Sequence, residues 1–268
     1  MLIRTQRSTQ SRRSPALRTY WPIGEQAMPG KEEVIRRVQR ALEYEPLVNL
    51  HRRPIKIDYA EGAVVLEGEV EHLAAKKLAL ELAGAVEGAR GVIDRLRVAP
   101  AERKGDGAIR DSFCSFLLHE PEFRGCSVHA RVKGRVETLR EAPGDSGGGI
   151  EAAVEDGVIT LEGKVISLSH KRVAGVLAWW APGCRDVVNS LAVEPPEEDN
   201  EGEVVDALRL VLEMDPLIQA GQIRASCRNY VVTLEGYVRT EEERRRAESD
   251  AWCLFAVDRV INRIEVRK

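Results

Sequence analysis

Val65-Leu66-Glu67-Gly68-Glu69-Val70 recurs as Thr160-Leu161-Glu162-Gly163-Lys164-Val165 and again as Thr233-Leu234-Glu235-Gly236-Tyr237-Val238. A second phrase follows each copy at one fixed interval. Val92-Ile93-Asp94-Arg95-Leu96-Arg97-Val98, Val187-Val188-Asn189-Ser190-Leu191-Ala192-Val193 and Val260-Ile261-Asn262-Arg263-Ile264-Glu265-Val266 start equally far beyond Val70, Val165 and Val238. Equal spacing in three places makes the chain a three-copy array. Each copy is small enough that contact between copies is expected to add to its stability.

Alternate residues of a strand share a face. Val64, Leu66, Gly68 and Val70 therefore point one way and Glu67 the other, with the same split in the other copies. Gly68, Gly163 and Gly236 become structural repeat glycines, because glycine inside a strand marks a bulge or the close approach of another backbone. Ala79 and Ala83, Ala174 and Ala178, and Ala247 and Ala251 stand at matching offsets. They form a shallow stripe expected to cross over the glycine.

Ahead of the phrase, Val34, Ile35, Val38, Ala41 and Leu42 form one helical stripe within residues 31–43. Glu45-Pro46 closes that helix, since a residue before proline is pushed out of helical geometry. A strand at 55–58, a strand at 64–70, a helix at 73–86 and a strand at 92–98 complete an α-β-β-α-β order. Ile109, Phe113 and Leu117 before Glu120-Pro121, and Val204, Leu208 and Leu212 before Asp215-Pro216, repeat the first anchors. A strand–helix–strand connection is right-handed and leaves its two strands parallel. The expected fold class is α+β: three tandem modules, each a three-stranded mixed sheet with two helices on one face. Their bounds are 31–99, 108–194 and 202–268, joined by short linkers that need not be rigid. In the third module Thr240-Glu241-Glu242-Glu243 reads as a capping box. Glu242 and Arg246 read as a solvated i,i+4 pair.

The second module departs from the others. Pro46 to Leu66 and Pro216 to Leu234 are similar distances, whereas Pro121 to Leu161 is about 20 residues longer. The excess, near 134–149, ends in Gly144-Asp145-Ser146-Gly147-Gly148-Gly149. It reads as a hairpin with an elongated, glycine-rich surface loop.

Composition bounds what the array can do. Hydrophobic residues at 43% and charged residues at 31% suit a globular chain. No run approaches the length of a membrane-spanning helix. Arg4, Arg7, Arg12, Arg13 and Arg18 against Glu25 leave residues 1–30 at +4 and the rest at −7, within a net charge of −3. An acidic body has no general attraction for DNA, so no nucleic-acid partner is expected of it. The basic segment, residues 1–30, reads as a disordered leader, or upstream sequence with Met28 as the start, in preference to an arm for nucleic acid or a membrane surface. It has no apolar signal core, so a cytoplasmic location is expected, or a periplasmic one if the start lies elsewhere. Cys114, Cys126, Cys184, Cys227 and Cys253 are odd in number and scattered, as suits reduced, half-buried thiols.

Candidate chemistry is sparse. Gly144-Asp145-Ser146-Gly147-Gly148 matches the turn around a trypsin-like serine nucleophile, but those enzymes need two β-barrels and an upstream His and Asp. His51, His72, His119, His129 and His170 lack metal-ligand spacing, so neither a metal nor a cofactor is expected. The column Asp94, Asn189, Asn262 reads as hydrogen-bonding to neighbouring backbone. Trp179 and Trp180 form the candidate interaction site: one ring in the core, the other at an interface with a membrane, a partner or an adjacent module. Ile93, Val188 and Ile261 lie on the sheet face away from the helices. A face so apolar is expected to be covered by another module or by a partner.

The α-β-β-α-β order, the Leu-Glu-Gly-x-Val strand and the closing Val-x-Asn-x-Leu/Ile-x-Val strand resemble the BON domain, named for bacterial osmotic-stress and nodulation proteins. The resemblance spans nearly all the chain from residue 31. Module 3 matches best through Gly236, Val260 and Asn262. Module 1 has Asp94 for the asparagine and module 2 carries the insertion. The resemblance implies a non-catalytic binding or scaffolding protein that attaches to a phospholipid surface or a protein partner under osmotic or envelope stress. The alternative it implies is a sensor that binds a small ion or ligand through one module. Contacts between modules, or between copies, are expected with either.

Overall fold

The computed structural model of the chain describes residues 29–144 and 147–267. The leader up to Met28, and Asp145-Ser146 of the protease-like motif, lie outside the described residues. Module 1 is α1 (Lys31–Glu43), β1 (Ile55–Ala60), β2 (Ala63–Val70), α2 (Leu73–Gly84) and β3 (Gly91–Val98). Module 2 is α3 (Asp106–His119), β4 (Ser127–Val132), β5 (Arg135–Arg140), β6 (Gly149–Glu155), β7 (Val158–Val165), α4 (Leu168–Trp180), β8 (Asp186–Asn189) and β9 (Ala192–Val193). Module 3 is α5 (Glu201–Met214), β10 (Ile223–Arg228), β11 (Val231–Val238), α6 (Glu241–Cys253) and β12 (Arg259–Val266).

Modules 1 and 3 are the expected mixed three-stranded sheets, in the orders β1-β2-β3 and β10-β11-β12. The hairpin strands are antiparallel and the crossover strands parallel. Val64, Leu66 and Val70 face the helices and are buried, as are Ile159, Leu161 and Val165 and Val232, Leu234 and Val238. Residue pairs Val34/Val38, Ile109/Phe113 and Val204/Leu208 close each core from the first helix and are fully buried. The second helix of every module starts three residues beyond the phrase, and its capping residue stands two beyond. There His72, Ser167 and Thr240 each accept a bond from the backbone N–H three residues on, at 3.1 Å in all three. This satisfies one of the unpaired donors of a helix start.

Gly68, Gly163 and Gly236 adopt φ of 151°, 118° and 130°. A Cβ at these places would stand 2.9 Å from Pro54 O, 2.2 Å from Gly149 O and 2.0 Å from Gln222 O. The close approach is therefore to the backbone leading into the neighbouring hairpin strand. That corrects the expectation that the alanine stripe crosses the glycine. Ala79, Ala83, Ala174, Ala178, Ala247 and Ala251 are fully buried in the cores, but the atoms nearest the glycines belong to the strand.

Module 2 also differs from expectation. Its insertion is not a long hairpin loop but a second hairpin, β4–β5, laid along the sheet. β4 pairs parallel with β6, giving the order β5-β4-β6-β7-β8, with β9 also on β7. Val128 and Ala130 of β4 are buried. Gly144 is at the surface as expected, but the following glycines are packed: Gly147 is buried, the Cys126 thiol donates to its carbonyl at 2.7 Å, and Ser127 N–H donates to Gly148 O at 3.0 Å. At Gly148, φ of 80° and a Cβ 2.3 Å from Lys164 O leave room for glycine alone.

The linkers are tied down too. Glu197 accepts from Leu168 N–H at 2.7 Å at the start of α4, and Asp199 pairs with the fully buried Arg172. An acidic linker thus meets the positive end of one helix and a buried guanidinium.

Candidate functional site

The polar column beside the repeated strand has one solution in two copies and another in the third. Asn189 and Asn262 use their side-chain oxygen to accept from Leu191 and Ile264 N–H, at 3.3 and 3.1 Å. Their side-chain amides donate to the carbonyls of Lys171 in α4 and Arg244 in α6, at 2.7 and 3.1 Å. The column clasps the closing strand to the crossover helix. Asp94 has no amide to donate. It accepts from Leu96 N–H at 2.9 Å and meets the Lys76 ammonium at 2.9 Å, from the helix position that matches Lys171 and Arg244.

That lysine also joins modules 1 and 2. Lys76, almost fully buried, donates to Asp186 at 2.7 Å, and Arg97 reaches the other Asp186 oxygen at 2.8 Å. Two cations and the carboxylates of Asp94 and Asp186 balance in charge, as a buried network requires. Val98 N–H donates to Arg185 O at 2.8 Å, and Arg185 pairs with Glu69 at 2.8 Å.

Module 3 docks on both of the others. Trp252, 4% exposed, packs with Ala74 and Leu78 of α2. Lys77 donates to Leu254 O and Val257 O at 2.6 and 3.0 Å, just past the end of α6. Burial pushes the Lys77 amine down to about 8. Trp180 is half-buried, and its indole N–H donates to the buried Asp250 at 2.9 Å while Arg246 lies over its ring at 5.7 Å. Trp179 is half-buried against the core shared by modules 2 and 3. Arg246 does not reach Glu242 as expected: it turns inward to the fully buried Asp215 at 2.5 Å. Burial, and then the Asp215 carboxylate, push Asp250 up to about 8. The expected capping box forms at Thr240, which accepts from Glu243 N–H, while the Glu243 carboxylate reaches one residue further back than expected. It accepts from Arg239 N–H at 3.0 Å and from Gln219 N–H at 2.9 Å, which ties the α6 start to the end of module 3's first loop.

The outer sheet faces remain open. Ile93 is 43%, Val188 46% and Ile261 38% exposed, so the expected cover does not come from another module. The cysteines are free, and burial pushes Cys114 up to about 11 and Cys184 up to about 12. Such thiols stay protonated near neutral pH and make poor nucleophiles. Among the described residues no group of three or more His, Cys, Asp or Glu is placed to hold a metal, and no helix is long and apolar enough to cross a membrane. Four histidines have structural partners: His72 is a helix cap, His170 lies edge-on to Phe123 at 5.6 Å, His119 meets the Ser115 carbonyl at 2.7 Å and His129 meets the Thr138 hydroxyl at 3.1 Å.

The sequence pattern of the BON domain matches residues 31–100, 129–195 and 200–268. The chain belongs to the BON domain family. The family is a non-catalytic, binding-type domain, present here as three tandem modules. The match to the second BON module begins inside β4, because the inserted hairpin separates α3 from the rest. No curated protein matches the chain. Among solved structures it is similar to the C-terminal domain of CdsD, a structural protein of the Type III secretion system of Chlamydia trachomatis. That likeness has 14% identity and a TM-score of 0.23, over 90% of this chain and all of that one. A second CdsD structure gives 15% identity and a TM-score of 0.23, over 87% of this chain and 92% of that one. The junction partners Asp186 and Asp250 carry no mark in the sequence, and Asp215 is marked there only as the residue before Pro216, since one buried aspartate among many carboxylates has no pattern.

Proposed function

We propose that the chain is a tandem BON scaffold that holds a protein partner against its outer sheet faces. The observation that carries this reading is the repeated exposure of Ile93, Val188 and Ile261 at one position in all three modules, on a body whose helices are already packed together. An isolated exposed apolar residue is ordinary, whereas the same position left open three times supports a surface awaiting cover. Helix contacts fix the modules relative to each other, so three weak sites would act at high effective concentration. The acidic body weighs against an anionic membrane as that partner. An osmotic- or envelope-stress setting comes from the family alone, and five unpaired cysteines support a reducing compartment. The test is co-sedimentation of the full chain, and of residues 31–268, with phosphatidylglycerol-containing vesicles at low ionic strength. The body is expected to stay in the supernatant. If residues 31–268 pellet with the vesicles, a membrane-binding function replaces the protein scaffold.

A further inference from the structure

Ile55, Ile150 and Ile223 occupy one position, each facing the repeat glycine of its own module. They mark β1, β6 and β10 as equivalent edge strands. In module 2 the outer edge of β6 is filled by β4, parallel and in register from Ser127 with Gly149 to Ala130 with Ala152. In modules 1 and 3 the described residues place no strand there. A groove runs along the empty edge in both: about 320 Å³ beside β1 and about 590 Å³ beside β10. The larger is walled by Val205, Arg209 and Leu212 of α5, by Arg224 and Ala225 of β10, and by Tyr237. An unpaired edge offers a row of backbone donors and acceptors to any extended chain.

Charge says what kind of chain fits. In module 2, Arg131 of the added strand spans Glu151 of β6 and Glu162 of β7, at 2.7 and 3.3 Å. The residue of module 3 equivalent to Glu151 is Arg224, and the one equivalent to Glu155 is Arg228. Both arginines are exposed, and neither makes an ion pair among the described residues, since Arg263 already holds Glu235 at 3.5 Å. On the helix side, Arg209 stands where module 2 has the buried Cys114 under β4. The charge of the edge strand is reversed relative to module 2, while Glu235 keeps the place of Glu162 on the next strand and is held by Arg263.

We infer that the β10 edge of module 3 binds an extended acidic segment of a partner protein, running parallel to β10 as β4 runs to β6, with a carboxylate beside Arg224. The inference rests on the scaffold reading and adds the site and the chemistry of its partner. The chain's own β4 is the wrong occupant, because a second copy would bring Arg131 against Arg224.

The test uses two synthetic peptides spanning residues 125–134 with Cys126→Ser, one of them also carrying Arg131→Glu. Binding of each to the full chain is followed by fluorescence anisotropy at low ionic strength. The Arg131→Glu peptide is expected to bind at least about fivefold more tightly, the scale of one cross-strand charge pair. Arg224→Glu in the protein, an exposed change that leaves the core intact, is expected to reverse the order. Hydrogen exchange should slow at residues 223–228 when the acidic peptide is bound. Absence of binding by either peptide, equal binding by both, or an order unchanged by Arg224→Glu would overturn the inference. Self-association of the free chain that is abolished by Arg224→Glu would also overturn it, by showing that a second copy takes the edge. None of these outcomes bears on the vesicle experiment, so the scaffold can survive the loss of this site.

Discussion

Modules 2 and 3 are built on the same strand phrase, the same crossover and the same asparagine clasp, yet one is closed where the other is open. In module 2 the hairpin β4–β5 fills the sheet edge, and α4 is buried between α3 and the helices of module 3. Module 3 leaves β10 bare and turns arginines toward the space. The shared residues are those that make a module fold. The differing ones decide whether its edge is used up inside the chain or left for something else.

The closed edge hangs on few residues, and breaking them should have the largest effect. Phe123, fully buried where the chain enters β4, stands in the place of Val48 and Ile218. Arg140 at the end of β5 donates to the carbonyls of Leu118 and Cys126, at 3.3 and 3.1 Å, and to that of Phe123. Phe123→Ala is expected to cost about 3–5 kcal/mol in urea unfolding. Ile218→Ala in module 3, at 9% exposure, should fall near the low end for such a truncation, about 2 kcal/mol. Equal losses would mean that the inserted hairpin adds nothing to its module's core.

The repeat glycines give the next largest effect and grade the copies against each other. Gly236→Ala would put a Cβ 2.0 Å from Gln222 O at φ 130°, while Gly68→Ala would put one 2.9 Å from Pro54 O at φ 151°. Backbone strain alone is worth about 1–3 kcal/mol. Gly236→Ala should exceed Gly68→Ala, with the excess set by the carbonyl contact. Matching losses in thermal unfolding would assign the whole cost to φ.

Much of this was legible in the sequence. Periodicity located the helices, the alternating phrase gave the strands, and the equal interval gave the parallel crossover, because each is a local rule written in adjacent residues. The BON resemblance followed from the same residues. The inserted hairpin escaped because Ser127–Val132 and Arg135–Arg140 are short strands whose partner, β6, lies beyond the glycine-rich stretch. Pairing across such a gap leaves no local mark. Trp180 could be singled out as unusual, but its acceptor Asp250 is 70 residues away and lies in another module. The open edge at β10 was invisible for a related reason: it is a property of what is not paired, and only the comparison with module 2 brings it out.

A smaller effect should appear as a pH slope. Asp250 titrates near 3.8 in an unfolded chain and is pushed up to about 8 in the folded one, by burial and then by Asp215. The folded state therefore holds a proton that the unfolded state has lost. The stabilisation is complete below pH 3.8 and fades as pH rises through about 8. Asp250→Asn keeps an oxygen for the Trp180 indole and removes the titration. Thermal unfolding of the variant should vary less with pH across that window than that of the parent. An unchanged slope would place the proton elsewhere.

The smallest effect separates module 1 from the other two. Asn262→Asp would set a carboxylate oxygen against the carbonyl of Arg244 and against Glu248, which the amide now holds at 3.1 and 3.0 Å. Loss of those bonds with an acceptor left facing acceptors should cost about 1–3 kcal/mol. The reverse change, Asp94→Asn, should cost less, about 1 kcal/mol, because Asp94 is itself about a third exposed and Lys76 keeps the buried Asp186 as its counter-charge. Lys76 would keep Asp186 and the Leu96 carbonyl at 2.7 and 2.9 Å, and the new amide could take the helix carbonyl as its counterparts do. The asymmetry is the informative quantity. A large loss at Asp94→Asn would show that its carboxylate is needed to hold Lys76 in the buried junction, making the module 1 exception part of how the modules are joined.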